Sequence, residues 1–316
     1  MTSLRGNAPA RAAFDAAMAS GALHHAWLIT GPQGVGKGTF AREAAARLLA
    51  QSAGDTSGER TRALIAAGSH PDYRELARLA KEERGETRLA RSITIAQVRA
   101  LQPLFATTPS LGPRRVIVID AIDDLEREGA NALLKSLEEP PPGTVFLLVS
   151  HAPGRLLPTI RSRCRALRFG LLDESDVREV LRERAPQLRG DELDTLIRAG
   201  AGAPGRALRY AGLELAAIDK ALAAIARDGD RSNAERARLA KALSTKAAQP
   251  RYEAFLDRAP EFIASQAPQR TGDELRMALD AYEEAQGIAG AARRLSLDAG
   301  ATVFELAGVV ARLARM

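Results

Sequence analysis

The sequence predicts an α/β domain built on a parallel sheet, followed by an all-α remainder, and three observations carry that expectation. Gly31-Pro-Gln-Gly-Val-Gly-Lys-Gly-Thr39 is a glycine loop between an apolar run, His25–Thr30, and a helical run, Lys37–Ala50. Val116–Ile119 and Val145–Val149 are continuous apolar runs, the pattern of central parallel strands covered on both faces. From about Leu213 to Met316 the chain is rich in Ala, Leu, Arg and Glu and carries no strand signal.

Taken in order, residues 8–22 read as a helix, 25–30 as a buried strand and 37–50 as the helix that the glycine loop opens. Gln51–Arg60 is polar and contains Gly and Ser, so a loop is expected there. Ile93–Leu101 combines a helix start signal with helical spacing. Strands alternating with helices up to about residue 168 predict βαβ units. After Gly170 only helical segments are expected, punctuated by Gly190, Gly200, Gly202 and Pro204-Gly205. Three units follow: 1–168 as the sheet domain, 169–211 as a small helical domain and 212–316 as a helical bundle.

Bulk properties narrow the function only slightly. With 316 residues there is ample chain for several cores. The net charge of +6 fits work near nucleic acid and fits an Arg-rich protein of any role equally well. An aromatic content of 4% argues against single-strand binding by base stacking. The single cysteine, Cys164, excludes an intrachain disulfide and a Cys-rich zinc site. No apolar leader and no run of about 18 apolar residues is present, so a soluble cytoplasmic protein with no membrane contact is expected.

The motifs carry more. In Gly31–Thr39 the glycines Gly31, Gly34 and Gly36 let consecutive backbone N–H groups turn toward phosphate oxygens, and Lys37 supplies an ammonium at the helix start. The hydroxyl residue expected directly after the lysine is absent: Gly38 stands there and Thr39 follows. Arg114–Asp120 fits an acidic strand, with Asp120 placed to hold magnesium through water; the plain alternative is that Asp120 caps the next helix. Ala121 stands where a hydrolysing site would need a glutamate to polarise water, and Asp123 or Asp124 lie one or two positions further along than that geometry asks.

Together Gly31–Lys37, Ser69-His-Pro-Asp72, Val116–Asp120, Ala130–Pro140 and Thr159–Cys164 resemble the clamp-loader branch of the AAA+ proteins, and within it the delta-prime subunits of bacterial DNA polymerase III. The likeness is dense from about residue 20 to 210 and weak in the C-terminal bundle. It implies an AAA+ P-loop domain, a helical lid and a helical collar. It also implies a largely non-hydrolysing subunit that assembles with gamma/tau and delta subunits to load a sliding clamp onto primer-template DNA. By resemblance, Arg163 of Ser162-Arg163-Cys164 is an arginine finger acting in trans on a neighbour's ATP. Ser150 corresponds to the first sensor and Arg206 of Gly202–Leu208 to the second, so both join the nucleotide-binding set. ATP and magnesium are expected to be bound weakly or left unused. The four-cysteine zinc module that many relatives carry has no counterpart in Gln51–Gly68, which must be held by packing alone or be mobile. Two other readings stay open: an active gamma/tau-type ATPase, and a nucleoside-phosphate kinase prompted by Gly36-Lys-Gly-Thr39.

Overall fold

The computed structural model describes residues 4–83 and 86–314. The chain forms two compact units, one of Met1–Arg184 with Ala201–Gly205 and one of Ala185–Gly200 with Arg206–Met316.

The first unit begins with α1 (Ala8–Ala19), β1 (Ala26–Thr30), α2 (Lys37–Ser52) and α3 (Glu59–Ala66). Then come β2 (Tyr73–Leu76), the hairpin β3 (Ala80–Glu83) and β4 (Glu86–Leu89), α4 (Ile95–Arg99), α5 (Gln102–Phe105) and β5 (Arg115–Asp120). It closes with α6 (Arg127–Glu138), β6 (Thr144–Ser150), α7 (Pro158–Arg161), β7 (Arg165–Arg168) and α8 (Glu174–Arg184). Five strands make one parallel sheet in the order β2-β5-β6-β1-β7. All seven residues of β6 and the first five of β5 are buried, as continuous apolar runs require of central strands.

Register sets the geometry of the site. Thr30 pairs with Ser150 and with Arg168, and Asp120 pairs with Val149. The carboxyl ends of β1, β5 and β6 therefore lie side by side, the edge at which open α/β sheets bind ligands.

The predicted helices and central strands are present within a few residues of their expected ends. The helix start signal is a capping box, in which Thr94 accepts from Gln97 N while the Gln97 side chain accepts from Thr94 N. Edge strands were not legible. β2 reads Tyr-Arg-Glu-Leu and β7 reads Arg-Ala-Leu-Arg, with three of the four β7 residues exposed. A strand paired on one side only carries charge that hides its period.

The segment without zinc ligands is held by more than packing. The Asp55 carboxylate accepts from Gly58 N at 3.0 Å, Thr61 N at 2.9 Å and Thr61 Oγ1 at 2.8 Å, which caps the start of α3. The Thr61 amide and hydroxyl hold the Asp55 carboxyl below its ordinary range. Likewise Ser69-His-Pro-Asp72 is structural: Asp72 accepts from Ser110 N at 2.7 Å and Leu111 N at 2.8 Å, tying down the approach to β5. Buried His70 takes the Asp72 amide on Nδ1 at 3.1 Å, a core role for that histidine.

The second unit is helical throughout its described residues: α9 (Gly190–Gly200), α10 (Pro204–Tyr210), α11 (Leu215–Asp228), α12 (Ala234–Leu243), α13 (Gln249–Gln266), α14 (Gly272–Leu295) and α15 (Ala299–Ala311). Apolar α15 packs against α11, α12, α13 and α14 through Val303, Leu306, Ala307 and Val310. Along α14 the buried positions are Ala278, Ala281, Ala285, Ala289 and Ala292, a helical stripe of small residues that lets its neighbours approach closely. Among the described residues no helix is long and apolar enough to cross a membrane.

Candidate functional site at the sheet edge

The glycine loop leaves β1 at Thr30 and enters α2 at Lys37. Gly34 and Gly36 have φ of 88° and 94°, values that side chains with a Cβ rarely adopt. Lys37 is 2% exposed and turns back onto its own loop, donating to Gly31 O at 2.6 Å and Pro32 O at 2.5 Å. Burial lowers its amine to about 8, against the opposing pull of Asp120 and Asp123. The loop is closed from a second side: Gly205 N donates to Gly34 O at 2.8 Å, and a Cβ on residue 205 would stand 2.9 Å from Gly34 Cα.

Asp120 ends β5 as expected, but it does not stand free. Its Oδ2 accepts from Arg42 Nη2 at 3.0 Å, and Arg42 also forks onto Glu75 at 2.7 and 2.9 Å. These groups are partly exposed, so each ion pair contributes at most about 1 kcal/mol. Sterics fix the arrangement more firmly, because a Cβ on Gly38 would overlap the Asp120 carboxylate. Helix capping by Asp120 is not its recorded role; the following short turn, Ile122–Asp124, has no side-chain cap.

Neither aspartate that might replace the absent glutamate is available. Asp123 accepts from Ser150 Oγ at 2.9 Å, His151 N at 2.6 Å and Ala152 N at 3.1 Å, which pins the end of β6. Asp124 pairs with Arg78 at 3.2 Å. Ser150 is fully buried and spends its hydroxyl on Asp123. The neighbouring His151 was not foreseen. Its Nδ1 is buried without a hydrogen-bond partner among the described residues, and burial together with the Lys37 charge holds the ring below its ordinary pKa. The only sequence signal for it was its place one residue past a central strand.

Whether ATP and magnesium suit these residues has two answers. Three glycines and a lysine at a helix start fit phosphate. The magnesium half fits poorly, because residue 38 brings no hydroxyl and the acidic residue of the strand is paired with a guanidinium.

Arg163 lies in the same unit, just after α7. Its guanidinium is a third exposed and held from two sides, by Glu138 Oε1 at 2.6 Å and by donation to Thr159 O at 2.9 Å. The adjacent Cys164 thiol is pushed up to about 12 by burial, which suits a packing residue and not a nucleophile. Arg206 belongs to the second unit, where it donates twice to Gly200 O, at 2.8 and 3.1 Å, and pairs with Glu261.

The sequence model of the family described as "DNA polymerase III, delta subunit" matches residues 6–173. DNA polymerase III subunit delta′ of Pseudomonas aeruginosa is 40% identical over 191 residues, which are 60% of this chain and 56% of that protein. The delta′ subunit of Escherichia coli (strain K12) is 34% identical over 195 residues, 60% of this chain and 55% of that one. The tau subunit of the same strain is 34% identical over 161 residues, 51% of this chain and 24% of tau. The chain thus spans about half the length of the delta′ relatives that it matches. With more than half of its own length inside the family's model, and with a phosphate loop, acidic strand and Ser-Arg-Cys turn carried by one parallel sheet, this chain belongs to the DNA polymerase III delta-prime clamp-loader family.

Proposed function

We propose that this chain is a largely non-hydrolysing clamp-loader subunit that completes a neighbour's ATP site. Arg163 carries the reading. A guanidinium held at the surface by Glu138 and Thr159 O is oriented before any partner arrives. Against a neighbour's γ-phosphate it would stabilise the charge that spreads there during transfer, an effect of about 10³–10⁵ in related enzymes. The chain's own loop supplies no water-polarising carboxylate, since Ala121 replaces the glutamate and both Asp123 and Asp124 are engaged. In this reading residues 1–168, 169–211 and 212–316 act as AAA+ domain, lid and collar. The collar binds gamma/tau and delta subunits, and the assembly opens the sliding clamp for primed DNA.

The test is reconstitution with candidate gamma/tau and delta partners, comparing wild type and Arg163→Ala for clamp- and DNA-stimulated ATP hydrolysis. A loss of at least about tenfold with assembly intact supports the trans role. Unchanged hydrolysis removes it, and failure to assemble refutes the proposed partnership.

Similarity to a tau subunit favours one second reading, an active gamma/tau-type ATPase. Turnover by the isolated chain that disappears in Lys37→Ala would establish that reading and dismiss the first.

A further inference from the structure

At the carboxyl end of β5 four side chains form a continuous polar chain. Tyr73 Oη donates to Glu75 Oε2 at 2.8 Å, Glu75 receives the fork of Arg42, and Arg42 reaches Asp120. A magnesium ion at a phosphate loop needs a near-octahedral shell of oxygens, drawn from a loop hydroxyl, phosphate and water and ordered by the acidic residue of the strand. Two of those requirements are changed together here. Position 38 has no hydroxyl, and any side chain placed on it would meet the Asp120 carboxylate. Asp120 in turn faces a fixed organic cation contributed by α2, one helical turn beyond Lys37. The two changes are linked, because only a residue without a Cβ lets Asp120 lie where Arg42 can reach it. A dication beside that guanidinium would be repelled, whereas a polyphosphate beside it would be attracted.

We propose that the Gly31–Thr39 loop binds a nucleoside polyphosphate without magnesium, with Lys37 and Arg42 as its resident positive charges. The inference rests on reading Gly31–Thr39 as a phosphate loop and is independent of the trans role of Arg163. Arg42 is the residue that distinguishes this site from a magnesium-dependent one; it is buttressed by Glu75, which Tyr73 holds in place.

The experiment is a titration of the full chain with a fluorescent ribose-labelled ATP, once in excess magnesium and once in EDTA. Affinities equal within about threefold are expected. Binding at least about tenfold tighter in magnesium overturns the proposal, as does the lack of saturable binding in both buffers. Arg42→Gln, checked by circular dichroism for an unchanged fold, is expected to weaken binding in EDTA by about tenfold and to restore a gain from magnesium. Unchanged affinity in that variant overturns the role given to Arg42. The reconstituted hydrolysis assay with Arg163→Ala is untouched by these outcomes, so a failure of this inference and a failure of the proposed function are distinguishable.

Discussion

Arg163 and Glu138 are joined across 25 residues of chain by an ion pair of 2.6 Å, which links the Ser-Arg-Cys turn to the last residue of α6. Glu138 is the first glutamate of Leu-Glu-Glu-Pro, so two motifs that look separate in sequence form one device. The proline stop ends α6 where its final carboxylate can hold the guanidinium. A restrained guanidinium loses less side-chain entropy on meeting a phosphate than a free one.

Glu138→Ala in the reconstituted assembly should therefore lower stimulated hydrolysis by about threefold to tenfold, less than Arg163→Ala does. Loss as large as that of Arg163→Ala would mean that Glu138 does more than orient. No change at all would make the ion pair incidental.

Asp72 satisfies two backbone amides on the loop before β5. Asp72→Ala leaves both donors without their partner and should cost about 2–4 kcal/mol in denaturant unfolding. Asp72→Asn, which keeps one acceptor, should recover roughly half of that. A cost near zero would mean that water reaches those amides.

Gly205 approaches the phosphate loop backbone to backbone. Gly205→Ala puts a Cβ 2.9 Å from Gly34 Cα and 3.0 Å from Gly34 O, and neither atom is the end of a flexible side chain. Destabilisation of about 1–3 kcal/mol is expected from a thermal melt, with loss of the Gly205–Gly34 hydrogen bond. An unchanged melting temperature would show that this contact is not maintained in solution.

Lys37 makes stability depend on pH in an unusual direction. Its folded amine titrates at about 8 against an ordinary 10.5, so between these values the unfolded chain binds a proton that the folded chain does not. Stability from this group rises with pH across that window, with a slope approaching about 1.4 kcal/mol per unit. Lys37→Met should erase that slope and, at neutral pH, raise stability by about 1–3 kcal/mol by removing a buried cation. Parallel curves for the two proteins from pH 7 to 10 would contradict the burial argument.

The sequence by itself determined what depends on neighbours along the chain. Apolar runs long enough to be buried on both faces marked β5 and β6, and Thr94 with Gln97 marked the start of α4. Glycines followed by lysine between a strand and a helix marked the phosphate loop, and small and apolar residues at helical spacing marked the α-rich remainder. Tertiary structure alone decided the rest. Only the sheet register brings Arg42 to Asp120 across 78 positions, Asp123 to Ser150 across 27 and Gly205 to Gly34 across 171. Charged edge strands such as β7 were unreadable because their pairing partner, and not their own period, makes them strands. Periodicity is written by local burial, whereas the partner of a polar side chain is chosen by the fold. A motif therefore announces that a carboxylate will stand at a strand end, and only the folded chain decides whether it meets a metal or a guanidinium.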